Sequence, residues 1–359
     1  MHPPRRILVI MLRRIGDVIL TTPAVRALRR LYPDAVIDFL VEPPAHELLA
    51  GDPDISNVLV YGGADLPLRR GLPRTLRALW DYVYWPWRVF RSRYDWVIDF
   101  MGNPRTAVLT FLSRAGVRAG PGRVSHRWAY THRLRQPSEA CYGALEKIRM
   151  LRSLGLDPDE SDALPRLSPD PSSEEFARAT LNRLPEPAGP LIGVVPASRR
   201  VTRRWPAESF ARLGRMLRDR HGASLLVFWG PGERELARRV RDGIGEGAHL
   251  SPETKSLREL AALVGRCRLV VTNCNGPKHI AVGRGVPTLT IHGSSDPVSW
   301  TPMGDVRHRA SRLDLLHCIG CRRNRCPYSL ECMTELTAEQ VCTTAENLLR
   351  LTGNGRLPG

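Results

Sequence analysis

A carboxylate set beside cations, and loops that carry cations of their own, are the groups in this 359-residue chain whose types and spacing can do chemistry. Arg13-Arg14-Ile15-Gly16-Asp17, followed by Thr21-Thr22-Pro23, sits where a first apolar run ends and a helical pattern begins. Gly16 permits a tight turn there, and Asp17 falls in the helix's opening turn. An acidic residue at that place gains roughly 0.3–1 kcal/mol from the helix end alone. Two arginines beside it, at a strand's carboxyl end, make a proton-accepting role a competing reading.

A second loop holds Pro196-Ala197-Ser198 and Arg203-Arg204-Trp205-Pro206. Pro206 suits a first helical position, and arginine before it can clamp phosphate bidentately; a solvated basic loop fits the spacing equally well. The third, Thr272-Asn273-Cys274-Asn275-Gly276-Pro277-Lys278-His279, follows a buried strand and opens a helix. Free backbone N–H groups and the positive helix end favour an anion at such a turn, and Lys278 and His279 add donors. Ile291-His292-Gly293-Ser294-Ser295-Asp296-Pro297 repeats the device after the next strand. Gly230-Pro231-Gly232-Glu233-Arg234-Glu235 begins like a dinucleotide fingerprint but lacks its last glycine, so a dehydrogenase is poorly supported. Walker, zinc-protease and nucleophile-elbow motifs are absent from the sequence.

Strands alternating with helices must position these loops. Residues 7–12, Val36–Val41 and 96–100 read as buried strands, and 18–31 as a helix. Seven prolines then punctuate residues 156–190, marking an interdomain connection around one helix at 173–184. The alternation restarts with strands at Leu191–Val195, 224–229, 269–271 and 286–292, and helices at Ala207–His221 and Leu257–Val264. Two βα halves joined by a Pro-rich hinge are expected, with ligands outside the carboxyl ends of the strands and in the cleft between the two sheets.

Composition narrows the partners. Lys plus Arg number 53 against 36 Asp plus Glu, a net charge of +17, and only Lys147, Lys255 and Lys278 are lysines. That balance reads as attraction to nucleic acid, anionic lipid or phosphorylated glycan; with no recognisable nucleic-acid module, nucleic acid is not expected. No apolar stretch approaches the roughly 18 residues needed to cross a bilayer. The run 7–12 is broken by Arg13 and Arg14 and lacks a cleavage site, so it is not a signal peptide and the chain is expected in the cytoplasm. Within residues 68–95, Arg69, Arg70, Arg74, Arg77, Arg88, Arg91 and Arg93 interleave with Trp80, Tyr82, Tyr84, Trp85, Trp87 and Phe90. This segment reads either as an interfacial element on anionic membrane or as a packed helix with a solvated Arg face. Cys318, Cys321, Cys326 and Cys332 lie within 15 residues. They read either as ligands to a structural zinc or iron–sulfur cluster, or as reduced thiols packing a C-terminal loop.

Taken in order, Gly16-Asp17 with Thr22-Pro23, Arg204-Trp205-Pro206, Gly276-Pro277-Lys278-His279 and Gly293-Ser294-Ser295-Asp296-Pro297 resemble the family-nine glycosyltransferases, the bacterial lipopolysaccharide heptosyltransferases. The resemblance runs from about Ile7 to Val341. It implies an α/β, GT-B fold of two Rossmann-like domains facing a cleft. The expected boundaries are 1–165 for an acceptor domain, 166–190 for a linker and 191–345 for a nucleotide-sugar domain including the Cys-rich tail. It further implies an inverting transfer of heptose from ADP-heptose to a lipid A–Kdo acceptor, with no metal or other cofactor needed for catalysis. The setting is the cytoplasmic face of the anionic inner membrane. Asp17 matches the family's active-site aspartate, a general base or acceptor-orienting group. Acceptor-side candidates are Arg13, Arg14, Gly16, Asn103 and Arg105. Donor-side candidates are Arg203, Arg204, Gly230, Glu233, Asn273, Asn275, Gly276, Pro277, Lys278 and His279. Arg203 stands where the family usually has Lys, and Cys274 where it commonly has an Asp that holds sugar hydroxyls. A relative with another donor sugar or acceptor is the alternative, and a non-enzymatic nucleic-acid binder the reading from a different class.

Overall fold

Short apolar runs become parallel strands whose residues are buried on both sides. The computed structural model describes residues 3–62, 73–185 and 189–352, with 74–79 described by backbone alone. Contacts divide the chain into two units, Met1–Ser168 and Pro169–Gly359. The first is built on β1 (Arg6–Met11), β2 (Val36–Val41), β3 (Asn57–Val60), β4 (Trp96–Asp99), β5 (Val117–Pro121) and β6 (His132–Leu134). They form one parallel sheet in the order β3-β2-β1-β4-β5-β6. Helices cover both faces, as a parallel sheet requires. Ile7, Val9 and Met11 pack with Val25 and Leu28, whereas Leu8, Ile10 and Leu12 pack with Trp85, Val89 and Leu109.

The second unit repeats the plan. It uses β7 (Leu191–Val195), β8 (Ser224–Val227), β9 (Ala248–Leu250), β10 (Leu269–Asn273), β11 (Thr288–Ile291) and β12 (His308–Ser311), in the order β12-β11-β10-β7-β8-β9. In each sheet the order reverses beside the first strand, between β1 and β4 and between β7 and β10. Those switch points open a crevice at the strands' carboxyl ends, where ligands bind in such sheets.

One local expectation changes. The helix expected over 18–31 is two, Ile15–Ile19 and Thr22–Leu31. Pro23 has no N–H for the carbonyl of Ile19, and the Thr22 hydroxyl donates to that oxygen instead, at 2.9 Å. The Pro-rich stretch expected as a linker contains the helix Pro171–Leu181, which packs against the helix Leu257–Val264 of the second unit. Asp170 pairs with Arg258 at 2.8 Å, and Glu174 with Arg266 and Arg284 at 2.9 and 2.6 Å. The last helix, Ala338–Leu351, completes the second core through Val341, Cys342, Ala345 and Leu348. Arg69 and Arg70 lie outside the described residues; Arg74 and Arg77 open the helix Arg74–Arg91.

Candidate functional site

Each unit presents chemistry at its own switch point. In the first, the chain leaving β1 places Asp17 in the opening turn of Ile15–Ile19. Its carboxylate lies 3.8 Å from the Arg13 guanidinium, a partly exposed pair that adds little stability. Arg14 is exposed and makes no side-chain cap. Gly16 is buried inside the helical turn rather than forming a tight turn before it, so the short helix itself aims Asp17.

The loop after β4 is fixed from below by Asp99. This fully buried carboxylate accepts from the N–H groups of Met101 and Gly102 at 2.9 and 3.0 Å and from the Tyr130 hydroxyl at 2.8 Å. Burial raises its pKa, and those donors oppose the rise. Gly102 takes φ 67°, and a Cβ there would meet Pro121 at 2.8 Å. Asn103 caps the helix Pro104–Leu112 reciprocally with Thr106 and donates to the Met101 sulfur. Its amide thereby ties the loop together. Arg105 pairs with Glu42 at 2.9 Å and lies over the Tyr61 ring at 4.9 Å.

Sequence reasoning missed Lys147, on the helix Gly143–Met150. Burial pushes its pKa down, and Asp17 is the strongest of the charges that oppose this. A cation therefore stands near Asp17 from an element 130 residues away in sequence. Its rarity as one of three lysines was the sole signal, and no local motif marks it.

In the second unit, two asparagines bind the arginine loop to the end of β10. Asn273 is fully buried; its carbonyl accepts from the Trp205 N–H at 3.0 Å and its amide donates to the Pro196 carbonyl at 2.7 Å. Asn275 accepts from the Lys278 N–H and the Thr272 hydroxyl, both at 3.1 Å, and donates to the Ala197 carbonyl at 2.9 Å. These amides brace motifs 68 to 78 residues apart. Asn273→Ala should cost about 2–4 kcal/mol, because two buried backbone groups lose their partner at roughly 1–3 kcal/mol each. Denaturant unfolding measures it, and a loss under 1 kcal/mol would show that the brace is unimportant.

The bracing also limits the helix end. The Lys278 N–H is taken by Asn275, and Pro277 has none, so Gly276 supplies the first free amide of Gly276–Gly283. Charge supplies more. Lys278 is fully buried, its ammonium donating to the Trp300 carbonyl. Burial lowers its pKa to about 8; the Cys274 thiol opposes that and the Arg203 guanidinium adds to it. Arg203 is half-buried with a buried Nε–H that bonds to nothing. Its pKa is lowered by burial and supported chiefly by Cys274. Two cations and a buried thiol thus meet at one point. His279, also buried, sits edge-on to Trp300 at 6.0 Å.

Other donor-side candidates serve the scaffold. Arg204 folds back on its own loop, donating to the Ser198 carbonyl at 3.1 and 2.6 Å. Gly230 donates to the Glu233 carboxylate at 3.0 Å, closing their turn. The loop after β11 is a brace rather than a second anion site. His292 is buried between the hydroxyls of Ser295 and Thr301 at 2.9 and 3.0 Å, and burial holds its pKa well below the usual value. Ser294 donates to the Thr202 hydroxyl at 2.9 Å, steadying the turn that carries Arg203.

Cys318, Cys321, Cys326 and Cys332 are free thiols. Burial first, and then the other three cysteines, push the Cys332 thiol up to about 11. Among the described residues no three His, Cys, Asp or Glu side chains are disposed to hold one ion. The arrangement therefore does not fit a formed zinc or iron–sulfur ligand set.

Known proteins share this plan. The family described as glycosyltransferase family 9 (heptosyltransferase) matches residues 87–330. Lipopolysaccharide heptosyltransferase 1 of Pseudomonas aeruginosa is 28% identical, covering 96% of this chain and 98% of its own. The glycosyl transferase family 9 structure from Veillonella parvula superposes with a TM-score of 0.80 at 25% identity, covering 97% of each chain. An Escherichia coli heptosyltransferase solved with ADP-2-deoxy-2-fluoro heptose shares the fold at a TM-score of 0.67 and 23% identity, over 95% of this chain and 99% of that one. With paired six-stranded parallel sheets, cationic loops at the switch point and a family match across two thirds of its length, the chain belongs to glycosyltransferase family 9, the heptosyltransferases, and has their GT-B fold.

Proposed function

We propose that this enzyme transfers heptose from ADP-heptose to the inner core of a lipopolysaccharide, a lipid A–Kdo type acceptor, inverting the anomeric centre. The observation that carries this reading is the half-buried Arg203 guanidinium, its Nε–H without a partner, beside the Lys278 ammonium at the second unit's switch point. Glycosyl transfer breaks the bond between the anomeric carbon and a diphosphate oxygen, and the departing charge must be met. Arg203 and Lys278 stabilise it as it develops. On the first unit, Asp17 takes the proton of the attacking hydroxyl as the new glycosidic bond forms. No step runs through a metal.

The acceptor is acidic and membrane-borne, which places the enzyme peripherally on the anionic cytoplasmic face of the inner membrane. Among the described residues no helix is long and apolar enough to cross a membrane. Competition between ADP-heptose and ADP-hexose donors on a Kdo–lipid A acceptor, read by mass spectrometry with and without chelator, tests the reading. Heptosyl addition that survives the chelator is expected; no transfer from ADP-heptose in either condition overturns it. Cys274, buried between the two cations where the family commonly has Asp, favours a second reading with another donor sugar. Preferential hexose transfer in the same assay would establish that one.

Lys278 adds a pH dependence. Its ammonium is charged below about 8 and neutral above, so kcat/KM, which reports free-enzyme ionisations, should fall as pH rises through that value. Lys278→Met should be uniformly slow and lack this limb. Wild-type activity flat from pH 7 to 9.5 would remove Lys278 from the leaving-group site.

A further inference from the structure

The helix Pro104–Leu112 presents apolar side chains outward as well as inward. Ala107 and Leu109 are buried in the first unit, yet Val108, Phe111 and Leu112 point outward and are 39, 45 and 39% exposed. Beyond Arg105 it carries no charge. The apolar face of a helix is ordinarily covered. Beside it packs Arg74–Arg91, whose outward stripe at i, i+4, i+7 is Val83, Trp87 and Phe90, again apolar and exposed. Trp128, on the turn Arg127–Ala129, meets Phe111 edge-on at 5.1 Å and is itself 56% exposed. Aromatic and aliphatic side chains from three elements thus form one uncovered surface, larger than scattered surface residues account for.

Arginines edge this surface. A cavity of about 550 Å³ is lined by Phe90, Arg91, Arg93, Tyr94, Ser113 and Arg114. The Arg114 guanidinium lies over the Phe90 ring at 5.1 Å and that of Arg91 over Trp87 at 5.8 Å. Both helices end the same way: a serine, then an arginine in the left-handed region, Arg93 at φ 49° and Arg114 at φ 54°. Glycine is the unstrained residue at that position. Two arginines held where glycine fits better argue that their side chains serve a purpose the backbone does not. Residues 82–135 contain ten arginines against two acidic residues, Asp95 and Asp99, with no Glu. Asp99 is buried, and Asp95, which accepts from the Arg5 and Arg6 N–H groups, is one carboxylate against the three guanidiniums of the rim.

We infer that this surface docks on an anionic phospholipid bilayer, the aromatics entering the interfacial layer while Arg91, Arg93 and Arg114 receive headgroup phosphates. Rings at headgroup depth with guanidiniums at the edge are the pattern of interfacial membrane binding. A second copy of the chain is the poorer occupant, because two such faces would set guanidinium against guanidinium. The site deepens the membrane placement proposed above, while its test needs neither donor nor acceptor.

Purified full-length protein is sedimented with vesicles of phosphatidylcholine alone and of phosphatidylcholine with one quarter phosphatidylglycerol, at 0.1 M salt. Binding is expected to the anionic vesicles only. Trp87→Glu/Phe111→Glu should weaken it at least 10-fold with an unchanged melting temperature. Arg93→Gly/Arg114→Gly relieves the backbone and should melt no lower than wild type, yet also lose at least 10-fold. Transfer to a deacylated acceptor should stay within two-fold in both variants, so a failed docking site is distinguishable from a failed transferase reading. Binding within two-fold of wild type in both variants, or equal binding to neutral vesicles, overturns the proposal. So does a wild-type dimer that Trp87→Glu/Phe111→Glu converts to monomer without changing vesicle binding, which would assign the face to a second copy.

Discussion

Replacing Asp17 by Asn should lower turnover by roughly 100-fold or more, the scale of losing a general base, while donor affinity and melting temperature stay near wild type. The substitution keeps shape and size. The Thr21 hydroxyl bonds the backbone oxygen of residue 17, at 2.8 Å, and not its side chain. The ion pair with Arg13 is long and partly exposed, so its loss costs little. Asn cannot accept the hydroxyl proton, and it also removes the charge facing Lys147. Donor KM is the control, because the donor-side cations belong to the second unit. Turnover within a few-fold of wild type would end the assignment of Asp17 as base.

Arg203→Ala should lower kcat by about 10²–10³-fold, the range for removing one preorganised donor to developing charge. Stability should hold or rise, since the Arg203 Nε–H is buried without a partner and burial already disfavours its charge. Arg203→Lys should recover part of the loss by restoring the charge without the planar fork. Arg204→Ala makes the contrast: that guanidinium closes on the Ser198 carbonyl, so its removal loosens the loop with a smaller effect on turnover. Steady-state kinetics on all three, with calorimetric ADP affinity, checks the ranking. A greater turnover loss for Arg204→Ala than for Arg203→Ala would reverse the roles given to the two arginines.

Much of this enzyme was legible in the residue order. A doubly covered parallel strand has to be apolar throughout, so runs such as Leu191–Val195 and Val36–Val41 announce themselves. Ligand loops at the ends of such strands follow from the fold's geometry, which is why Asp17, Arg203 and Lys278 stand out locally. The ordered motifs likewise carry the family, and the match over 87–330 agrees.

Partnership across long separations was decided by the tertiary structure. Asn273 and Asn275 look like ligand groups in sequence, and only folding spends their amides on Pro196, Ala197 and Trp205. His292 lies in a loop that reads as a repeat of the strand-to-helix anion turn, and only the fold encloses it between Ser295 and Thr301. Adjacent Arg203 and Arg204 are chemically alike, and the turn of a single 3₁₀ segment sends one toward Cys274 with its Nε–H unpartnered while the other closes on its own loop. Lys147, whose ammonium donates to the Gly143 carbonyl, comes within the electrostatic influence of Asp17 because the helix Gly143–Met150 packs against Thr22–Leu31. The physical reason is common to all of these. Strand and helix patterns are set by burial of neighbours a few residues apart, whereas the fate of a polar group depends on which distant donor or acceptor the packed core brings within 3 Å.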